Sequence, residues 1–180
     1  HVFTNPLLMG LVAITVISGA GQFTLFTYLA PYFRHVLGAS PEQVSFLFMW
    51  YGAFGLVGNI LLTRWIDRLG AARCVSIGLS CMAVSLLAWP LGTTVVGLAL
   101  VSLPWALGVF SSNSAQQARL SAAAPAFAPA LLALNTSAIY AGQAVGAATG
   151  GAILSTAGFG ALSHTAVVYV LLALALSLLL

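Results

Sequence analysis

Six apolar stretches, at about 7–31, 43–63, 74–91, 95–117, 129–154 and 164–180, fill nearly the whole chain. The sequence contains seven formally charged residues, Arg34, Arg64, Arg68, Arg73, Arg119, Glu42 and Asp67, and none falls in the middle of a stretch. A helix needs about 20 mostly apolar residues at 1.5 Å rise to cross roughly 30 Å of hydrocarbon. The expected fold class is all-α and transmembrane, with residues 1–180 forming one domain of six spans. At 61% hydrophobic and 4% charged residues, a water-soluble fold would lack the polar surface to stay dissolved.

All five positive charges are arginines, and three of them lie between the second and third stretches. That is how membrane orientation is encoded, and it is not a footprint for nucleic acid. The segments carrying Arg64, Arg68, Arg73 and Arg119 are expected on the cytoplasmic side, which also places both ends of the chain there. Arg34, His35 and Glu42 belong to the opposite side. The chain starts at His1 rather than Met, ends in Leu178-Leu179-Leu180 and shows no signal-peptide pattern, so the expectation is a piece of a longer protein.

Local punctuation supports the span assignments. Pro31 is expected to close the first span, Ser40-Pro41-Glu42 to open the second, and Pro125 and Pro129 to bracket the entry to the fifth. Short connections leave no room for a soluble domain and suggest that each span packs antiparallel on the next. Tyr28, Tyr32, Trp65 and Trp89 lie near span ends and read as interfacial anchors. Cys74 and Cys81 are seven apart on one helix, about 10 Å along its axis, too far to pair with each other. They read as small core hydrophobes.

Polar groups inside a bilayer must find a partner or line water. Gln22, Thr24, Thr27 and Tyr28 fall on the first span, Asn59 on the second, Asn113, Gln116 and Gln117 on the fourth, and Asn135, Tyr140 and Gln143 on the fifth. Gln22 shares a helix face with Phe26, and Asn113 with Gln117. Each amide can equally serve as a simple interhelical hydrogen bond. Gly142, Gly146 and Gly150 form a face without side chains, as do Gly52, Gly55 and Gly58, which is the pattern of close helix packing. No metal-ligand spacing, nucleophile setting or phosphate loop occurs, so neither enzymatic activity nor any cofactor or metal is expected. No ionisable group sits at mid-membrane depth, and His35 and His164 lie at span ends.

The run Gly58-Asn59-Ile60-Leu61-Leu62-Thr63-Arg64-Trp65-Ile66-Asp67-Arg68-Leu69-Gly70-Ala71-Ala72-Arg73 resembles the signature loop of the major facilitator superfamily, a Gly followed by Asp-Arg-x-Gly and a basic residue. Asp67 is suited to cap a helix or pair with an arginine, and Gly70 to form a tight turn. The sequence departs from the pattern in having Ala71-Ala72-Arg73 where many members carry adjacent basic residues, which implies a weaker latch. Gly21 to Phe33 looks like the seventh helix of the arabinose-efflux and drug:proton antiporter branch, and Gly142 to Gly151 is similar to its eleventh.

The resemblance covers essentially the whole chain. It implies the C-terminal six-helix half of a twelve-helix transporter, built from two three-helix inverted repeats at 7–91 and 95–180. The implied activity is proton-coupled efflux of a small sugar or drug-like solute across a bacterial inner membrane by alternating access. The first and fourth spans, helped by the second and fifth, would line the cavity, while the third and sixth would face lipid. Gln22, Phe26, Trp105, Asn113, Gln117, Tyr140 and Gln143 are then the candidate substrate contacts. Gly58, Asp67, Arg68, Gly70 and Arg73 are the candidate conformational latch. The implied partners are the lipid bilayer, a small-molecule substrate, protons whose coupling group is not in this chain, and a missing N-terminal six-helix half. The alternative is a stand-alone six-helix membrane protein acting as a homodimeric carrier or a non-transporting scaffold.

Overall fold

The computed structural model describes residues 4–180. Seven α-helices follow one another: α1 Pro6–Phe26, α2 Leu29–His35, α3 Pro41–Leu69, α4 Ala71–Ala88, α5 Val95–Ala123, α6 Ala128–Ala157 and α7 Gly160–Leu179. Helix starts follow from local chemistry. Asn5 Oδ1 accepts from the backbone N–H of Leu7 at 3.0 Å, opening α1. Ser40 and Gln43 form a reciprocal capping box at α3, with Gln43 N–H donating to Ser40 Oγ at 3.3 Å and Ser40 N–H to Gln43 Oε1 at 2.9 Å. Thr94 Oγ1 accepts from Gly97 N–H at 3.0 Å to open α5.

α1 and α2 together make the first span, and the interruption between them differs from the expected stop at Pro31. The helix breaks at Thr27 and Tyr28 and resumes at Leu29, with Pro31 inside α2. The reason is that proline has no N–H and its ring crowds the carbonyl four residues earlier, which is that of Thr27. Among the described residues, five segments are long and apolar enough to cross a membrane, and α6 is not among them. Its 30 residues nevertheless exceed the length a span requires, and its lower hydropathy reflects a sequence of small and weakly polar residues.

The expectation that each span packs on its sequence neighbour holds for α4 on α5 and is corrected for the other spans by the helix partnerships. α1 rests mainly on α6 and α7, whereas α5 rests mainly on α3 and α4, and α4 meets α7. Exchanging the first three spans with the last three (α1 with α5, α3 with α6, α4 with α7) turns α1–α6 into α5–α3 and α1–α7 into α5–α4, and maps α4–α7 onto itself. Three spans per unit reverse the direction of the second unit, so the two units are inverted repeats whose first helices pack into each other's partners. Short loops permit adjacency in sequence but do not choose the packing face.

Glycines choose it. A Cβ added at Gly142 would meet the backbone of Val16, Gly19 and Ala20, one at Gly146 would lie 3.0 Å from Ala20 Cα, and one at Gly150 would sit 2.6 Å from the Tyr28 ring. Gly55 and Gly58 likewise lie on α5 at Phe110 and Leu107, while Gly52 faces open space. Gly58 is therefore buried in the α3–α5 contact, about three helical turns away from the turn at Gly70. Trp89, Tyr32 and Tyr28 are not the interfacial anchors expected of them. Trp89 and Tyr32 are buried, and the Tyr28 hydroxyl donates to the Ala147 carbonyl at 2.8 Å, tying α1 to α6. Trp65 is exposed, as an anchor should be. Cys74 is buried, Cys81 half-buried, and both are free.

The outer surface is apolar, with Leu56, Val57, Leu61, Val84, Leu87, Leu100, Val168 and Leu172 all exposed. So much contiguous apolar surface is compatible with lipid or a further helical unit, and not with water.

Candidate functional site

A cavity of about 230 Å³ opens among α1, α3, α4, α5 and α6. On α1 it is lined by residues at helical spacing from Ile14 to Phe26, among them Thr15, Ser18, Gln22 and Phe23; on α5 by Val109, Phe110, Ser112, Asn113 and Gln116; on α6 by Ile139 and Gln143. Tyr51 of α3 and Val75, Leu79 and Met82 of α4 complete it. No lining side chain carries a formal charge. The third span was expected to face lipid, and α4 is corrected in this respect: three of its apolar side chains form one wall, because α4 crosses α5 at the glycine pair Gly78 and Gly108 and is drawn inward.

The polar groups of the cavity fall into two kinds. Some are committed to the bundle: Gln116 Nε2 donates to the Leu11 carbonyl at 2.6 Å, and Thr15 Oγ1 donates to Asn135 Oδ1 at 2.6 Å. Others keep unused capacity. Asn113 Oδ1 and Gln116 Oε1 are buried without a hydrogen-bond partner. Among the described residues the Gln143 side chain makes no hydrogen bond either, and the Tyr51 hydroxyl is buried without a partner. Acceptors and amides that the fold leaves unpaired inside a small apolar space are the groups that orient a ligand. They are also costly to leave unmatched.

Away from the arginine-bearing ends of the helices, the cavity gives way to a layer of aromatic rings. Phe26 packs edge-on against Trp105 at 6.3 Å and against Phe48 at 6.2 Å, and lies 5.5 Å from Tyr51. Trp105 in turn stands edge-on to Tyr51 at 5.3 Å and to Trp89 at 5.5 Å. Phe26 belongs to both the cavity wall and this layer.

Of the expected substrate contacts, Gln22, Phe26, Asn113 and Gln143 come together around the cavity. Three do not line it. Trp105 is fully buried one layer behind, in the aromatic cluster. Gln117 is exposed, because the inward face of α5 runs through the i+3 neighbour of Asn113, which is Gln116, and not through the i+4 neighbour. Tyr140 is 66% exposed on the outward face of α6, since the Gly142/Gly146/Gly150 row turns the opposite face toward α1. Tyr51, Phe23 and Thr15 were not anticipated as lining. Tyr51 sits one helical turn before Gly55, and that spacing was a usable signal for the inward face of α3.

Of the expected latch residues, Asp67, Arg68, Gly70 and Arg73 lie at the junction of α3 and α4, which is a single residue, and Gly58 does not. Gly70 has φ +83° and links the two helices directly, a backbone state that side chains with Cβ adopt only under strain. Arg68 lies over the Trp65 ring, 5.6 Å from its centre. Asp67 and Arg73 are exposed, and among the described residues neither makes an ion pair or hydrogen bond.

The model of the Major Facilitator Superfamily matches residues 11–180. The chain belongs to the major facilitator superfamily. It is thus a multi-pass membrane protein of a transporter family, not of an enzyme family.

Proposed function

We propose that this chain is the C-terminal six-helix half of a twelve-helix proton-coupled exporter of the arabinose-efflux and drug:proton antiporter type. Its cargo is an uncharged or weakly polar organic solute. The observation that carries the reading is the cavity itself, with the unpaired oxygens of Asn113 and Gln116 and the side-chain amides of Gln22 and Gln143 beside the rings of Phe23 and Phe26. Neutral hydrogen-bonding groups next to aromatic faces suit a sugar or a drug-like amphiphile, and give no counter-charge to a strong ion.

No acid or base that titrates near neutrality lines the cavity, so the proton-coupling group belongs to the N-terminal half. Asp67 and Arg68, exposed beside the turn at Gly70, serve as a latch that meets this other half in one access state. Helix crossings at glycines, with little side-chain interlocking, let α1 and α6 tilt against each other as the cavity opens alternately to the two sides. The ends that carry Arg64, Arg68, Arg73 and Arg119 face the cytoplasm.

The test is transport by the full-length protein in sealed vesicles, followed with a pH-sensitive dye while sugars and drug-like amphiphiles are supplied in turn. Substrate-dependent proton movement that is lost in Gln143→Ala is the expected outcome. Transport that continues unchanged after the pH gradient is collapsed removes proton coupling, and transport unaffected by Gln143→Ala and Asn113→Ala removes the cavity assignment.

A further inference from the structure

A second site lies at the arginine-bearing end of the bundle, between α4, α5 and α7. It is a notch of about 440 Å³ lined by Arg73, Ser76, Arg119 and Ser177, with Ile77 and Leu178 among its apolar walls. Arg119 is only 8% exposed. Its guanidinium donates to Ser177 Oγ at 3.0 Å and to the Ser177 carbonyl at 3.3 Å, and Ser177 Oγ is 3.2 Å from Ser76 Oγ. All of these acceptors are neutral.

A guanidinium has five N–H donors, and among the described residues neither Glu42 nor Asp67 contacts Arg119. Glu42 is held by Ser40 at the far end of α3, and Asp67 pairs with nothing among the described residues. A buried cation without a counter-charge is unfavourable unless an anion arrives. Arg73 stands exposed on the first turn of α4, whose N-terminus has no side-chain cap, so its free N–H groups add a second attraction for anions.

The apolar walls narrow the choice of anion. Ile77 and Leu178 are exposed at 41% and 70%, and they continue from the notch onto the lipid-facing surface of α4 and α7. A ligand that satisfies both parts carries a phosphate and an acyl chain. We infer that this notch binds the headgroup of an anionic phospholipid, with Arg119 and Arg73 on its phosphate and Ser76 and Ser177 beside it. The bound lipid bridges α4 of the first repeat to α5 and α7 of the second.

The experiment titrates full-length protein in detergent with phosphatidylglycerol, phosphatidylcholine or inorganic phosphate, and reads thermal shift together with lipid retention in native mass spectrometry. Phosphatidylglycerol is expected to raise the melting temperature and remain bound, while phosphatidylcholine and inorganic phosphate do neither. Arg73→Gln should need about fivefold more phosphatidylglycerol for half the shift, the loss of one arginine near an anionic headgroup. Arg119→Lys should weaken retention as well, by losing the planar fork. Arg64→Gln removes the same charge from the same end of the bundle outside the notch and should leave the titration unchanged. Equal responses of Arg73→Gln and Arg64→Gln would assign binding to the general basic surface and overturn the site. An equal shift with inorganic phosphate would overturn the lipid in favour of a soluble anion, and no response to phosphatidylglycerol would overturn both. Should Arg119→Lys fail to fold, the comparison of Arg73→Gln with Arg64→Gln decides alone.

Discussion

Gly78 of α4 and Gly108 of α5 cross backbone to backbone: a Cβ at Gly78 would lie 2.9 Å from the Gly108 carbonyl oxygen, and one at Gly108 would strike the Gly78 carbonyl. Gly108→Ala should therefore lower the melting temperature in detergent, by an overpacking cost of about 1–3 kcal/mol. Gly52→Ala, where nothing lies within 4 Å, should raise stability by up to about 1 kcal/mol through helix propensity. Equal responses at the two positions would mean that the crossing is looser than its geometry.

Gly146→Leu places a branched side chain against the Ala20 backbone and the Phe23 Cβ. Low yield or a clearly reduced melting temperature is expected, because neither backbone can retreat without parting α1 from α6. Wild-type yield and melting would remove this face from the α1–α6 contact.

The Thr15–Asn135 bond makes a prediction about pairs. Asn135 Nδ2 is buried without a partner, so Thr15→Val leaves the whole amide unsatisfied. Interhelical bonds of this kind in membranes average about 0.6 kcal/mol, whereas a stranded buried polar group costs about 1–3 kcal/mol. The double substitution Thr15→Val with Asn135→Leu should then be more stable than Thr15→Val alone in a thermal-melt comparison. The opposite order would show that the amide finds a partner when Thr15 is lost.

Cysteine replacement tests the cavity. In a background lacking Cys74 and Cys81, cysteines at Gln22 and Gln143 should react with water-soluble thiol reagents and be protected by substrate. A cysteine at Leu98, which is fully buried, should stay unlabelled. Silence at Gln22 and Gln143 in every condition would mean that the cavity is dry.

Asp67→Asn should impair transport more than expression, since Asp67 is exposed and bonded to nothing within the described residues and so contributes little to folding here. If it stabilises one access state against the N-terminal half, the shift is about 1–3 kcal/mol, the usual size of conformational coupling. Transport at the wild-type rate for equal membrane abundance would end the latch assignment.

Membrane class was fixed by seven charges kept out of the middle of every apolar stretch, because burying a charge in hydrocarbon outweighs any local preference. Helix starts at Ser40 and the turn at Gly70 were equally legible, since capping and positive φ depend on a few adjacent atoms. The row Gly142, Gly146, Gly150 advertised a packing face, but not that α1 would cover it. Partner choice is a property of surfaces remote in sequence, and here it set α1 on α6 and α7 and α5 on α3, leaving α4 on α5 as the one extensive contact between successive spans. That choice decided the site. Helical periodicity allowed either Gln116 or Gln117 beside Asn113, and either face of α6 for Tyr140. Only the crossings at Gly78, Gly108 and Gly142 set the rotation of each helix about its own axis, turning Gln116 inward and leaving Gln117 and Tyr140 on the outside.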